Sequence, residues 1–174
     1  MSQKSSLPTH VTTYNVYNSG QRLVGINGEF QCPELEMQTS SVTGPGILGE
    51  IEFPNPGHVG NTEATVNFRI IDVEAAQLLN DGTVDLTLRA DVSRYDSATG
   101  RTVHQSFRVT MRGKVKTVTL GTIQASNGAD SSIALELLYI KVVVDSRTIL
   151  ELDKLNFIYV VNGKDMLTEV RKNI

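Results

Sequence analysis

Apolar and polar residues alternate along most of this chain with a period of two, the spacing that turns one face of a β-strand toward a core. The clearest run is Val84, Leu86, Leu88, Ala90 and Val92, interleaved with Asp85, Thr87, Arg89, Asp91 and Ser93. Asp96-Ser97-Ala98-Thr99-Gly100 then reads as a turn, and Val103, Phe107, Val109, Met111 and Val115 as the inward face of the return strand. The other face of that strand is His104, Arg108, Arg112, Lys114 and Lys116. Ala64, Val66, Phe68 and Ile70 alternate with Thr65, Asn67 and Arg69 in the same way. Residues 11–18 and 22–30 flank Asn18-Ser19-Gly20 and predict a hairpin, followed by a short strand over 35–42. Asp72 is placed to cap a helix over 73–80, ended by Asp81-Gly82.

Residues 133–144 break the simple pattern. Leu135, Leu137 and Tyr139 fall on one face and Leu138, Ile140, Val142 and Val144 on the other. A strand apolar on both faces is covered on both faces, here by its own domain or by a neighbouring subunit. A last hairpin runs over 149–161, turns at Asn162-Gly163 and trails into 167–174. The pattern predicts a mainly β chain: a curved β-sandwich or half-barrel with one short flanking α-helix.

Composition sharpens this. Valine (19), isoleucine (11) and threonine (17) make 47 of the 174 residues, and side chains branched at Cβ favour pleated, half-buried surfaces. The length fits a single domain spanning 1–174. Sixteen basic and nineteen acidic residues give a net charge of −3, whereas proteins that live on phosphate backbones are usually basic. The single cysteine, Cys32, excludes an internal disulfide framework and reads as a small buried residue. The polar start of the chain has no apolar signal segment, and runs such as Val142-Val143-Val144 fall far short of the roughly 20 residues needed to span a bilayer. No membrane anchoring is expected, and the chain is expected to be made in the cytoplasm.

The segment 40–60 stands apart. It holds Gly44, Gly46, Gly49, Gly57 and Gly60 with Pro45, Pro54 and Pro56, and sets Ile47, Ile51 and Phe53 among them. A solvated linker has no use for such apolar residues. An extended arm or hairpin that docks on another surface fits better than an ordinary edge loop.

Candidate chemistry is thin. Gly44-Pro45-Gly46-Ile47-Leu48-Gly49 matches G-x-G-x-x-G, but that fingerprint must open a helix, and the prolines that follow disfavour one. His10, His58 and His104 share no metal-ligand spacing. Glu50 with Glu52, and Glu151 with Asp153, share strand faces without further catalytic context. The basic stripe of Arg108, Arg112, Lys114 and Lys116 lacks interleaved aromatics for base stacking, and Asp85 and Asp91 on the adjoining strand are placed to neutralise it. No catalytic residue, cofactor or metal is expected.

Taken in order, several stretches resemble the major tail tube proteins of contractile-tailed phages and R-type bacteriocins. They are Asn15-Val16-Tyr17, Gly44 to Ile51 with Pro54-Asn55-Pro56-Gly57-His58, Thr87-Leu88-Arg89-Ala90, Tyr95-Asp96 with Thr99-Gly100, Asp153 to Tyr159, and Asn162-Gly163-Lys164-Asp165. The resemblance implies six copies per ring, rings stacked into a hollow tube, and sheets joined between subunits into a tube-lining β-barrel. It also implies a sheath, baseplate and tail terminator as partners, and a place in a virion or phage-tail-like particle assembled in the bacterial cytoplasm. DNA would pass through the lumen of a phage tube without specific binding, whereas a bacteriocin tube would pierce an envelope. The arm then corresponds to an inter-ring stacking element carried by Gly44, Pro45, Gly46, Ile47, Gly49, Ile51, Phe53, Pro54, Pro56 and Gly57. On polarity, Asp85, Thr87, Asp91 and Ser93 are the expected lumen lining. A type VI secretion-like tube and a monomeric β-sandwich binding module are the other readings; the absence of tryptophan weighs against the second.

Overall fold

The computed structural model describes residues 6–80 and 82–174, so Met1–Ser5 and the Asp81 half of the expected helix stop lie outside the described residues. The sheet is built on β1 (Ser6–Asn18) and a two-residue β2 (Gln21–Arg22). Next come the hairpin strands β3 (Met37–Val42) and β4 (Ile51–Val59), and then β5 (Glu63–Phe68). The short helix α1 (Val73–Ala76) precedes β6 (Val84–Asp96), β7 (Arg101–Thr119), β8 (Ser131–Val144) and β9 (Arg147–Asp153). β10 (Ile158–Val161), β11 (Lys164–Asp165) and α2 (Thr168–Asn173) finish the chain. One antiparallel sheet runs in the order β11-β10-β9-β8-β7-β6-β1-β2, with β5 also paired to β8, while β3 and β4 form a sheet of their own.

Turn chemistry explains the hairpins. Ser19-Gly20, Asp145-Ser146 and Asn162-Gly163 each put two successive residues at positive φ, as two-residue turns matched to strand twist require. Asp96 holds the β6–β7 turn with its own side chain, accepting from Ala98 N (3.0 Å) and Thr99 Oγ1 (2.8 Å). At α1, Asp72 Oδ1 accepts from Ala75 N at 2.8 Å, the expected cap. The helix is shorter than the sequence predicts, passing after Ala76 into a 3-10 turn over Gln77–Leu79.

The expected return strand over 22–30 does not form beside β1. Gln21–Arg22 pairs there and Leu23 N donates to Val16 O (2.8 Å), after which the chain turns away to β5. Asn27 N donates to Asn67 O (2.8 Å), Arg69 N to Gly25 O (2.9 Å), and bridges join Ile26 to Phe68 and Gln31 to Thr65. Because β5 in turn pairs with β8, the 25–31 segment closes most of a small barrel through β8, β7, β6 and β1. Val16, Val66, Phe68, Leu86, Met111, Ile133 and Leu135 fill it, with Ala75 of α1 and Leu78 of the 3-10 turn packed in.

The two-sided apolar pattern of β8 has a different cause from the one expected. Gly113 pairs with Leu137 but Arg112 with Tyr139, so Leu138 is an extra, bulged residue. A bulge shifts the alternation by one. Ile133, Leu135 and Leu137 before it, and Ile140 and Val142 after it, therefore belong to one core face. Ile70 is exposed beyond the end of β5, and Cys32 is exposed rather than buried.

The chain end, which the sequence pattern leaves as a trailing segment after Asn162-Gly163, is helical. Arg171 clamps α2 by donating to Phe157 O (2.6 Å) and to Asp165, while Leu167 N donates to Asp165 Oδ1 (3.0 Å). These bonds, Arg171 first, hold Asp165 below its ordinary carboxylate range. A carboxylate depressed in the folded chain stabilises it above its unfolded value, and that contribution disappears as pH falls through the folded value. Protection of the α2 amides should therefore be flat at neutral pH and drop only below about pH 4. In Asp165→Asn it should be low at every pH; hydrogen exchange against pH reads both.

Candidate assembly interface

The predicted arm is the β3–β4 hairpin. Val42 pairs with Ile51, Ser41 with Glu52, Ser40 with Phe53 and Thr39 with Pro54, after which the register jumps to Met37 opposite Val59. The residues skipped in β4, Asn55 to His58, include Pro56 and Gly57. Proline survives in β4 because the outer edge of a two-stranded sheet needs no donor. Gly44, Pro45, Gly46, Ile47 and Gly49 make the tip, where Ile47 N donates to Gly44 O at 3.1 Å. The glycine-rich match is thus a hairpin tip followed by a strand, not the turn into a helix that dinucleotide binding needs. Cross-strand pairing sets Val42, Ile51 and Phe53 on one face. Ile51 is 43% and Phe53 53% exposed, and Leu48 at the tip is fully exposed. A lone hairpin is marginal in water, and one that shows an apolar face is made to be covered.

The root of the arm is fixed. Gly60 N donates to Glu36 O at 3.0 Å. Lys154 Nζ reaches Gly60 O at 3.0 Å and Glu136 Oε1 at 3.4 Å. Leu167 is buried against Gly57: a Cβ there would lie 2.6 Å from its Cδ1, and Gly57 has φ +79°. Any side chain at 57 would displace Leu167 and strain the backbone at once. The root is therefore a rigid mount, and the tip projects from it.

The polar face of the large sheet carries Asp85, Thr87 and Asp91, each opposite a polar residue of β7. Several of its charges are paired, although Arg89 stands directly opposite Arg108. Arg112 Nε donates to Asp85 Oδ2 (2.8 Å) and stacks over the Tyr139 ring (5.1 Å). Lys141 lies 3.2 Å from Glu151, and Lys116 lies 2.7 Å from Glu63. His104 Nδ1 lies 2.7 Å from Asp91 Oδ2, and that hydrogen bond holds Asp91 below its usual range. Burial first, then the hydrogen bond that Tyr139 gives Glu151 (2.8 Å), pushes the phenol up to about 12, so it stays neutral. The basic stripe is thus met by carboxylates at two of its members, Arg112 from β6 and Lys116 from β5. Ser93 is placed differently from the other three: it is 3% exposed, paired to Thr12 through their hydroxyls (2.7 Å). It is a buried contact with β1, not part of the open face.

The sheet ends in two open edges. Above its short pairing with β2, the outer edge of β1 has no partner among the described residues, and the far end finishes on the two-residue β11. Open edges invite pairing with another chain. No group of three or more His, Cys, Asp or Glu is gathered for a metal among the described residues.

Open sheet edges and a hairpin with an uncovered apolar face are surfaces suited to contact with another chain. The chain belongs to the phage tail tube protein FII family, whose model matches residues 8–174. It is similar to the tail tube protein of Escherichia phage P2, 25% identical over 175 residues that cover 97% of this chain and 98% of that protein. It is equally similar to the major tail tube protein of Serratia phage KSP20, 25% identical over 161 residues and 92% of each chain. Among solved structures it resembles a chain from the cryo-EM structure of an extracellular contractile injection system, the PVC sheath/tube terminator in the extended state. The TM-score is 0.53 at 14% identity, covering 79% of this chain and 96% of that one, a likeness of fold. The protein is a structural tail tube subunit of the contractile-tail class.

Proposed function

We propose that the whole chain acts as one tail-tube domain, six copies of which close into a ring through the open edges of their sheets. Rings stack head to tail through the arm at 40–60, since a contact between unlike surfaces that does not close builds a filament. The tube, assembled in the bacterial cytoplasm, runs inside a sheath between a baseplate and a terminator. It conducts DNA in a phage and pierces an envelope in a bacteriocin-like particle. The observation that carries this reading is one sheet with open edges at both ends and a polar face between them, which a ring of copies turns into a closed barrel.

Electron microscopy of the concentrated protein, with and without pre-formed tube ends as seeds, tests it. Sixfold rings or hollow tubes are expected; a monomer that seeds cannot extend would overturn the reading. The same polar face is the proposed lumen wall, through Asp85, Thr87 and Asp91, with Ser93 beneath β1. Asp85→Lys with Asp91→Lys leaves Arg112 and His104 without their carboxylates and turns the face basic. DNA ejection from particles carrying this pair should slow by tenfold or more, as phosphates are held at the wall (about 1.4 kcal/mol per tenfold). Unchanged ejection would place the lumen elsewhere.

A further inference from the structure

A groove of about 690 Å³ opens on the apolar side of the sheet, between β1 and the segment 22–30. Tyr14, Val24, Ile26, Phe30, Ala90 and Phe107 line it, and none of them is buried. The apolar face continues past it along Val92, Val142 and Val144, all half-buried. Arg22 is the one charged residue among the described lining, which includes no carboxylate.

The arm has the complementary character. Its apolar face of Val42, Ile51 and Phe53 has no cover, and from Met37 to Val59 it carries Glu50 and Glu52 with no lysine or arginine. Alternation in β4 turns Ile51 and Phe53 to one side and leaves Glu52 on the other, as an insertion into an apolar groove with a cationic rim requires. The arm is mounted beside β10 and Leu167, while β9, β8, β7 and β6 separate β10 from β1 in the sheet. Both surfaces are open in the same chain, so the arm does not fill its own groove.

We propose that the groove receives the β3–β4 arm of a second copy of this chain, with Ile51 and Phe53 against Val24 and Phe107 and the carboxylates toward Arg22. This rests on the stacking reading above and adds where on the next subunit the arm lands. The test uses tubes assembled in a Cys32→Ser background, with Val24→Cys and Phe53→Cys in the same chain under mild oxidation. A reducible ladder of linked subunits is expected, absent from either single cysteine. Tubes that form without that link overturn the proposal, as does a link from Val24→Cys to Leu155→Cys instead, which would put a ring neighbour's β9–β10 turn in the groove.

Charge reversal gives a second reading that needs no cysteine. Arg22→Glu should slow elongation at low salt about tenfold, and Glu50→Lys with Glu52→Lys in the same chain should restore it. Failure of that rescue in folded subunits counts against the docking. If the Cys32→Ser parent gives neither rings nor tubes, the tube reading itself falls and the docking site falls with it.

Discussion

A subunit carrying Ile47→Asp and Phe53→Asp stays folded and forms no tubes. In the isolated chain the two side chains contribute little: Phe53 is half exposed, Ile47 lies at the hairpin tip, and neither belongs to the core cluster. Surface changes of this kind usually alter stability by about 0.5 kcal/mol or less, and the β3–β4 ladder is held by backbone bonds that aspartate keeps. Assembly is where the loss falls. Covering each apolar side chain contributes about 1.5–3 kcal/mol, and an unpaired carboxylate in its place adds a desolvation penalty. The new charges also lie beside Glu50 and Glu52, so like charges gather on one small hairpin. A deficit of about 4 kcal/mol per contact weakens association roughly a thousandfold, and each subunit added to a tube repeats it. Thermal unfolding by circular dichroism should match the parent, while sedimentation and electron microscopy show no growth. Tubes of ordinary length from this variant would remove the arm from the stacking interface. Phe53→Leu, which keeps an apolar side chain, should still assemble.

The parts of the fold legible in the sequence are those whose pairing is local. β6 and β7 show their alternation plainly because the turn between them is held by Asp96 and the register runs unbroken from Val84 opposite Gly113 to Asp96 opposite Arg101. The hairpin form of 40–60 was legible too, since glycine and proline beside Ile47, Ile51 and Phe53 suit neither a linker nor a core. Where reading by period failed, an irregularity had changed the phase or the partner. The bulge at Leu138 makes one core face of β8 look like two. The segment after Arg22 keeps a strand's composition but spends its hydrogen bonds on β5, a partner some forty residues away that no local pattern marks. Ser93 shares the parity of Asp85 and Asp91, yet register shifts in β1 near Pro8 and Val11 bring Thr12 onto it. The six residues of α2 are too few for helical periodicity to appear; the Glu169–Lys172 pair (2.7 Å) was the available sign.

The bulge also marks a place where one added side chain has a large expected effect on stability. Gly113→Val should lower it by about 3 kcal/mol or more, beyond the usual range for overpacking. Gly113 does not need positive φ; it needs space. A Cβ there would lie 2.1 Å from the carbonyl oxygen of Glu136 and 3.1 Å from Cα of Leu137. Those atoms belong to the backbone of β8, which pairs with β7, β5 and β9 and cannot retreat without opening a ladder. Leu137 N donates to Thr62 O (2.8 Å) and Lys154 N to Leu138 O (3.0 Å), so displacement there also reaches the strand that leaves the arm's root and the residue that grips it. Since a domain of this kind holds about 5–15 kcal/mol in all, such a variant should unfold at markedly lower urea and yield less soluble protein. Gly28→Ala is the contrast: nothing lies within 4 Å of its Cβ position, so its midpoint should stay within about 0.5 kcal/mol of the parent. If Gly113→Val instead melts with the parent and assembles normally, β8 is not held as tightly at its bulge as the packing around Leu137 and Leu138 requires.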